Sequence, residues 1–332
     1  MFRSASVVLA LCATLTGPPM PAAAGAAIAP LCVSGGTPAP LAWIEKLPDG
    51  GEIHHYKVDG DTMVPEVPSE FNPLSATAEQ LDTYGFPPRP TSSSALAQWE
   101  DDMANWQHTP DRGLCITNSH FRTDTPWSGH VVHRSVDTYI AVQGNFKQPY
   151  YGSSNCTDPE EGSWTGIGGY ETGSLLQTGT AMRSTGKYAW YEYIDPAHPN
   201  PAIEMPSVSV HAGNRIHTYV LYQRSTGRTT FYVANNSNGT QQSVIRVLSS
   251  SYWDGMSAEA IDEAPVGADL ADFDTVSWGN VQAEDLAGDW HSFGSQGTTR
   301  VSIYRVDTGH TLASLGTMTD ATHFTDRFYY CQ

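Results

Sequence analysis

Gln177 is the residue whose type and position most clearly suggest chemistry. It follows Leu175 and Leu176 in a short apolar run that has the character of a β-strand. Strand cores are poor in polar side chains because a buried amide without a hydrogen-bond partner costs free energy. Gln177 therefore needs either a structural partner or a function. A further run, from Tyr188 to Tyr193, combines aromatic residues with one acid, Glu192.

The usual signatures of hydrolytic and metal sites are absent from the sequence. There is no G-x-S-x-G elbow, so serine hydrolase chemistry on an α/β fold has no support. There is also no H-E-x-x-H and no C-x-x-C motif. His130 and His133 are three residues apart, which on a strand places them on opposite faces and makes them a poor metal pair.

One short motif matches the signature of aspartic peptidases. It runs from Val306 through Asp307 to Gly309 and has the hydrophobic-D-T-G pattern. That chemistry needs two carboxylates sharing one proton, and therefore two such loops or a homodimer. The nearest second copy, Glu171 to Gly173, has the wrong acid. Because Asp-Thr-Gly is also common between two strands, we interpret the motif as a turn.

The elements that must position Gln177 are short strands. Three are predicted between Trp164 and Asp195, separated by glycine turns. Alternation such as that from Ile216 to Tyr222 places one set of side chains inward and the other outward. The clearest further runs are Asp137–Gln148, Ile216–Gln223, Thr229–Ala234, Ser243–Leu248, Phe273–Trp278, Arg300–Val306 and His323–Tyr330. No sustained helical pattern interrupts them, so the sequence predicts an all-β sandwich or barrel over residues 121–332.

The acidic composition excludes some partners. Among 332 residues, Lys and Arg total 17 and Asp and Glu total 35, which gives a net charge of -18. Nucleic acid and anionic membrane surfaces are therefore not expected partners. Because there are few cations, protonation of the carboxylates in acid creates little positive self-repulsion, and the composition tolerates acid.

Residues 1–24 have the pattern of a secretory signal peptide. A short basic start at Met1–Arg3 precedes an apolar run from Val7 to Leu15, and Ala22–Ala24 offers a small-residue cleavage site. The apolar run is too short to span a bilayer. Cleavage would leave four cysteines, which allow three disulfide pairings: Cys32, Cys115, Cys156 and Cys331. We predict a secreted protein.

Residues 25–120 are predicted to form a propeptide or an accessory N-terminal segment, and we favour the propeptide. Residues 25–90 are rich in Pro and Gly with weak periodicity, and Pro87–Ser94 has the composition of a linker. A helix is predicted over Ser92–Gln107 with Ser94 as its N-cap. Its apolar residues recur at helical spacing: Leu96, Trp99, Met103 and Trp106. We expect the segment to end between Asp111 and Thr125.

Five sequence blocks carry a family resemblance when taken in order. They are W-T-G-I-G-G at Trp164, L-L-Q-T-G at Leu175, Y-A-W-Y-E-Y at Tyr188, A-E-A-I-D-E-A-P at Ala258 and L-A-D-F at Leu270. With an opening W-S-G at Trp127, they resemble the W-V-G-I-D, I-L-Q-T-G, Y-D-A-W-Y-E-W and A-E-W-I-V-E segments of the glutamic peptidases, the eqolisins. The resemblance extends from Trp127 to Tyr330. It implies a sandwich of two curved antiparallel sheets with the active pair on the concave face.

The resemblance also implies roles for individual residues. The glutamine of L-Q-T-G and the second glutamate of A-E-x-I-x-E are catalytic in the family, and they fall on Gln177 and Glu263. The cleft-lining tryptophan and glutamate of A-W-Y-E fall on Trp190 and Glu192. We assign the tryptophans that open two of the blocks to substrate binding as well: Trp164 and Trp127.

The implied chemistry is peptide hydrolysis by water, without metal or cofactor. The carboxylate of Glu263 can accept a proton from water and later give it to the leaving nitrogen. The neutral amide of Gln177 can donate a hydrogen bond to the oxyanion, which is worth roughly 2.7–4 kcal/mol, and its carbonyl oxygen can orient the water. A glutamate base with an ordinary pKa implies an acidic optimum.

The chain departs from the family pattern beside the expected site. The acid after W-V-G-I is Gly168, the aspartate of Y-D-A-W is Tyr188, and an aspartate two residues after Q-T-G is Ala181. The family acids surround the catalytic glutamine, so their replacement bears on the pH optimum and on substrate preference. Asp262 replaces an apolar residue beside Glu263, and adjacent strand residues are expected to face opposite sides.

We therefore expect a secreted, monomeric acid endopeptidase that acts on proteins or peptides. Two alternatives come from other classes. A non-enzymatic carbohydrate-binding β-sandwich would also present Trp and acids on a concave sheet. A glycoside hydrolase would use Glu192 and Glu263 as its carboxylate pair. Sugar sites would leave Gln177 dispensable, whereas peptide hydrolysis would not.

Overall fold

The computed structural model describes residues 31–91, 93–122, 126–152, 156–305 and 308–331. The predicted signal peptide, residues 1–24, and Asp307 of the D-T-G motif lie outside the described residues.

Most regular structure is strand. The strands of the first half are β1 (Thr37–Pro38), β2 (Leu41–Lys46), β3 (Glu52–Lys57), β4 (Asp61–Glu66), β5 (Cys115–Ile116), β6 (Trp127–His133), β7 (Tyr139–Lys147) and β8 (Glu160–Gly168). Those that follow are β9 (Leu175–Arg183), β10 (Gly186–Asp195), β11 (His198–Pro199), β12 (Ile203–Glu204), β13 (Arg215–Gln223), β14 (Arg228–Asn235) and β15 (Gln241–Val247). The last are β16 (Ser257–Glu263), β17 (Thr275–Asp285), β18 (Trp290–Ser292), β19 (Thr299–Val301), β20 (Ile303–Arg305), β21 (His310–Leu315) and β22 (Phe324–Phe328). The helices are α1 (Ala78–Thr83), α2 (Ser93–Ala104) and α3 (Phe293–Gln296), with a 3-10 turn at Ser250–Tyr252.

The strands form two antiparallel sheets. The first has the order β1-β5-β12-β10-β9-β8-β16-β6-β19, with β11 paired to β10. The second has the order β2-β3-β4-β15-β14-β13-β7-β17-β22-β21-β20, with β18 paired to β17. The prediction of an all-β sandwich of two antiparallel sheets is confirmed.

Side-chain alternation divides each strand between the core and an outer face. On β9, Leu176 and Met182 belong to the core between the two sheets, whereas Leu175 and Ala181 belong to a separate cluster on the other side of the first sheet. Across the core, the Oγ1 atoms of Thr165 and Thr218 lie 2.9 Å apart in a hydrogen bond. Because the period of a strand is two, Gln177 lies on the side of Leu175, away from the second sheet.

Residues 31–116 extend both sheets rather than forming a separate body. Strand β4 pairs with β15 through Met63 and Ile245, and β5 pairs with β12. Helix α2 and the turns before it pack on the outer face of the second sheet, where Trp99 and Tyr232 share one apolar cluster. The three strands β2, β3 and β4 were not predicted from the sequence.

Two sequence predictions need correction. Helix α2 begins at Ser93, so Ser94 already has helical backbone and cannot be the extended N-cap residue. The single strand predicted over Arg300–Val306 is two strands, because the chain crosses at Ser302 from the first sheet to the second. Strand β19 pairs with β6 before the crossing, and β20 pairs with β21 after it.

Disulfides join Cys32 to Cys115 and Cys156 to Cys331, which selects one of the three possible pairings. The sulfur–sulfur distances are 2.06 and 2.01 Å. Among the described residues, no helix combines the length and apolar character needed to cross a membrane.

Candidate active site

The predicted site residues lie together on the outer face of the first sheet. In the register of the sheet, Gln177 is opposite Glu192, and Glu263 is opposite both Gly162 and Trp127. Trp164 is linked to Trp190 through Gly179, which is the partner of both. Side chains two residues apart on a strand share a face, so six predicted residues face the same way: Gln177, Glu263, Trp190, Glu192, Trp164 and Trp127.

Gln177 is fully buried and its amide group is held in one orientation. Its Nε2 donates to Glu192 Oε2 at 2.8 Å and to the backbone carbonyl oxygen of Phe121 at 2.7 Å. Its Oε1 has no hydrogen-bond partner within the described part of the chain. The amide therefore presents a donor to a peptide carbonyl and keeps an acceptor available for water.

Glu192 is fully buried between Gln177 and Phe121. Its Oε2 also accepts the backbone N–H of Phe121 at 3.1 Å. Burial raises the pKa of Glu192 well above its usual value, and the charge of Glu263 raises it further, although the hydrogen bond from Gln177 acts in the opposite direction. The carboxyl group of Glu192 therefore stays protonated to a higher pH than that of an exposed glutamate.

Glu263 ends strand β16 and is fully buried. Its neighbour Asp262 faces the core, where Asp262 Oδ2 accepts the indole N–H of Trp278 at 3.0 Å. The expectation that these adjacent acids face opposite sides is thus met in the structure. Asp262 belongs to a different group of buried acids, with Glu161 and Asp326.

The three tryptophans form the walls of the site. The ring of Trp190 stacks on Phe121 with centroids 4.2 Å apart and planes 8° apart. Trp127 meets Trp164 edge to face at 5.1 Å. All three indole nitrogens are buried without a hydrogen-bond partner among the residues described here. Buried donors of this kind are usually satisfied, so they mark a place where polar groups of water or of a bound chain belong.

Tyr188, one of the departures from the family pattern, belongs to a polar cluster at the edge of the site. Its hydroxyl donates to Glu160 Oε1 at 2.6 Å, and Glu160 forms an ion pair with Arg183. Ser119 Oγ lies between them, 2.9 Å from Glu160 Oε1 and 2.6 Å from Arg183 Nη2. Gly168, another departure, has φ of 85°, a left-handed backbone that favours glycine over the family's acid.

His130 and His133, the two histidines three residues apart in the sequence, do not come together in the structure. His130 packs edge to face on Phe324 of the second sheet, whereas His133 contacts Tyr170 on the outer side, so the two lie on opposite faces. Within the described ranges, no group of three or more His, Cys, Asp or Glu residues could hold a metal ion.

Several residues of the site were not predicted from the sequence. Phe121 caps Gln177 and Trp190, and Glu160, Arg183 and Ser119 hold the segment that contains it. Glu259 also lies on the site face, in register with Gly166, and burial raises its pKa well above the usual value. Glu259 is visible in the sequence as the first glutamate of A-E-A-I-D-E, but Phe121 lies in a stretch with no strand pattern.

Comparison with known proteins agrees with this geometry. Residues 125–327 match the model of the peptidase A4 family. The chain belongs to the peptidase A4 family, the eqolisins. It is therefore a glutamic endopeptidase whose substrates are proteins or peptides, and the glycan-binding and glycoside hydrolase alternatives lose their support.

Solved structures show the same fold. One is scytalido-glutamic peptidase with a transition state analog inhibitor, at 17% identity and a TM-score of 0.52, covering 62% of this chain and 99% of that chain. Another is the same peptidase with a peptide-based transition state analog, at 17% identity and a TM-score of 0.50, with the same coverage. A search of curated proteins finds no match.

Proposed function

We propose that the chain is a secreted, acid-acting endopeptidase in which Gln177 and Glu263 form the catalytic pair. One observation carries the proposal: the Nε2 of buried Gln177 donates a 2.7 Å hydrogen bond to a peptide carbonyl, that of Phe121, on the face that also holds Glu263. A donor in that position can stabilise the oxyanion that forms when a carbonyl is attacked.

The proposed reaction uses water as the nucleophile. Glu263 accepts a proton as water adds to the carbonyl carbon, and it returns that proton to the amide nitrogen when the C–N bond breaks. Gln177 Nε2 stabilises the oxyanion while Oε1 accepts a hydrogen bond from the water. Neutral Glu192 holds the amide in place without adding a second negative charge. No metal or cofactor takes part in this scheme.

Acid action is supported by the electrostatics of the site. Glu192 is neutral in acid because burial raises its pKa, so a deprotonated Glu263 then has no charged carboxylate in Glu192 beside it. At higher pH the ionised Glu192 would repel Glu263. Secretion is supported by the two disulfides, which form and persist in oxidising compartments. We propose that the enzyme acts as a monomer.

The test is cleavage of a denatured protein between pH 2 and pH 7 in the presence of pepstatin. Wild type is compared with Glu263→Gln and Gln177→Ala. Gln177→Ala removes one oxyanion donor, so kcat should fall about 10²–10³-fold, and Glu263→Gln removes the base and should abolish cleavage.

Matched controls come from the second sheet. Glu284→Gln and Gln143→Ala change the same residue types on β17 and β7, and both should leave cleavage within about twofold of wild type. Undiminished activity in Glu263→Gln would contradict the proposed pair. Loss of activity in pepstatin would point to aspartic chemistry instead.

A further inference from the structure

The segment Thr117–Arg122 lies across the proposed active site and is here called the cleft segment. Its residue Phe121 makes both backbone hydrogen bonds expected of a bound peptide: the carbonyl accepts from Gln177 Nε2 at 2.7 Å, and the N–H donates to Glu192 Oε2 at 3.1 Å. The carbonyl thus occupies the position proposed for the bond under attack.

The side chain of Phe121 fits a slot on the same face. One wall is Trp190, which stacks on the ring at 4.2 Å. The floor is Gly162, the strand partner of Glu263, where an added Cβ would come within 2.4 Å of the Phe121 ring. A flat ring therefore lies between one proposed substrate-binding residue and the strand next to the proposed base.

The rest of the cleft segment is anchored at several points on both sides. The Ser119 carbonyl accepts from Ala202 N at 2.9 Å, and the His120 carbonyl accepts from Val266 N at 2.9 Å. Thr117 Oγ1 donates to the carbonyl of Ala202 at 2.7 Å. With the cleft segment in this position, Phe121 and Gln177 are both fully buried. An external substrate cannot reach Gln177 while the cleft segment is bound.

We propose that the cleft segment occupies the active site as a substrate does, and that the Phe121–Arg122 bond is the first bond this enzyme cuts. The inference rests on the proposed function and adds to it the identity of a substrate and the means by which the intact chain is kept inactive. A cut after Phe121 would end the N-terminal segment one residue after the predicted boundary at residue 120.

The cut is a hydrolysis in which all atoms are accounted for. Water adds its oxygen to the carbonyl carbon of Phe121, and Glu263 takes one of its protons. The C–N bond to Arg122 then breaks and the nitrogen receives that proton. The products are a carboxyl group on Phe121 and a new amino terminus on Arg122.

The disulfides allow the two products to separate. Cys32–Cys115 lies entirely before the Phe121–Arg122 bond, and Cys156–Cys331 lies entirely after it. Neither bridge joins the two sides of the cut. After hydrolysis, residues preceding Arg122 are held to the remainder by non-covalent contacts alone, such as the β4–β15 and β5–β12 pairings.

The first experiment maps the new terminus. Full-length wild type and Glu263→Gln are moved from neutral to acidic pH, and fragments are identified by mass spectrometry. Wild type should yield a chain beginning at Arg122, and Glu263→Gln should stay intact. If wild type digests denatured protein but keeps its Phe121–Arg122 bond, this inference is overturned while the proposed function stands. If Glu263→Gln is cut equally fast at the same bond, the proposed catalytic pair is overturned.

The second experiment tests occupancy without catalysis. In a Glu263→Gln background, binding of a capped Ala-Ala-Phe-Ala-Ala peptide is measured by calorimetry for Phe121→Ala and for Phe71→Ala. Phe71 is a buried phenylalanine of the same N-terminal region that packs on Tyr84, away from the cleft. Phe121→Ala should bind the peptide about tenfold or more tightly than the control, because a tethered competitor acts at high effective concentration. Equal binding by the two variants would overturn the inference.

Discussion

Gln177 keeps its amide nitrogen between two acceptors that belong to different parts of the chain. One is Glu192 on the neighbouring strand and the other is the carbonyl of Phe121, 56 positions earlier in the sequence. Turning the amide over would bring its oxygen against the carbonyl oxygen of Phe121, which can only accept, so the group is fixed with its donor towards the cleft. This preorganised donor is what the proposed reaction needs at the moment negative charge develops.

At the residue scale, Gly162→Ala tests whether the space between Trp190 and Gly162 that holds the Phe121 ring also holds a substrate side chain. The added methyl group would overlap the position of the Phe121 ring, since a Cβ on residue 162 would lie 2.4 Å from it. We expect kcat/KM for peptides cut after phenylalanine to fall about 10–200-fold, and that for peptides cut after alanine to change far less. Paired kinetics on two peptides that differ only at that residue provide the measurement. A parallel loss on both peptides would show that the variant damages the sheet instead.

The candidate site was only partly predictable at this scale. Gln177 could be found because a polar residue in an apolar strand is unusual and because ordered sequence blocks surround it. Phe121 could not, since its contacts with Gln177 and Trp190 are long-range and its own stretch has no regular structure. No local pattern encodes a contact of that kind.

At the scale of elements, three buried acids join strands of the two sheets. Glu161 on β8 and Asp262 on β16 belong to the first sheet, and Asp326 on β22 belongs to the second. Ser163 donates to Glu161 Oε1 at 2.5 Å, and Lys187 is the nearby cation. Burial raises the pKa of Glu161 to about 8, and that of Asp326 to about 6. In acid all three are neutral and can share protons through hydrogen bonds.

This acid cluster predicts that stability falls as pH rises. A carboxyl group whose folded pKa exceeds its unfolded pKa binds more protons in the folded state, so its stabilising effect is complete in acid and is lost on passing through the folded pKa. For Asp326 the window runs from 3.8 to about 6, and for Glu161 it runs from 4.5 to about 8. We expect Asp326→Asn to flatten the fall in the free energy of unfolding between pH 4 and pH 7.

Urea denaturation at each pH measures this slope. The exposed residue Asp289 supplies the control, and Asp289→Asn should keep the wild-type slope. An Asp326→Asn slope equal to that of wild type would mean that the cluster does not control the pH dependence.

The elements themselves differ in how well the sequence predicts them. Strands such as β13 and β14 were found because β-branched and aromatic residues recur in their sequences and clear turns bound them, although both of their faces are buried in the structure. Strand β2 was missed because its apolar run, Leu41 to Ile44, is short and lies in a stretch rich in Pro and Gly, and its residues after Leu41 are exposed. Helix α1 was also missed, although Thr77 and Gln80 form a capping box that the sequence does contain.

On the scale of the whole molecule, residues 31–116 hold the edges of both sheets. Glu204 on β12 accepts the backbone N–H groups of Val33 and Ser34 at 2.8 and 2.9 Å. The Cys32–Cys115 bridge closes this region over a separation of 83 residues. The family match begins only at residue 125, so this N-terminal region of residues 31–116 lies outside it.

Removing the Cys32–Cys115 disulfide should lower the stability of the uncut protein. We expect the double variant Cys32→Ser, Cys115→Ser to lose about 2–4 kcal/mol of unfolding free energy, because a long loop regains entropy in the unfolded chain. Urea denaturation of the uncut protein measures the loss.

The Cys156–Cys331 bridge provides a comparison, because it lies after the Phe121–Arg122 bond whereas Cys32–Cys115 lies before it. After cleavage at Phe121, the catalytic part should no longer be affected by the Cys32–Cys115 bridge, whereas Cys156→Ser with Cys331→Ser should still destabilise it. If removing either bridge destabilised the cleaved catalytic part equally, the Cys32–Cys115 bridge would still act on that part, which would contradict this prediction.

The pairing of β4 with β15 has a consequence for the cleaved enzyme in storage. If residues preceding Arg122 leave, β15 becomes an open sheet edge whose free N–H and C=O groups can pair with another molecule. The cleaved enzyme, a monomer at the dilution of an activity assay, should therefore self-associate at the high concentrations of a stock solution, as light scattering would show, whereas the uncut chain should not. Val247, two-thirds exposed at 66%, ends this strand, and Val247→Lys should keep the cleaved enzyme dispersed by charging its edge.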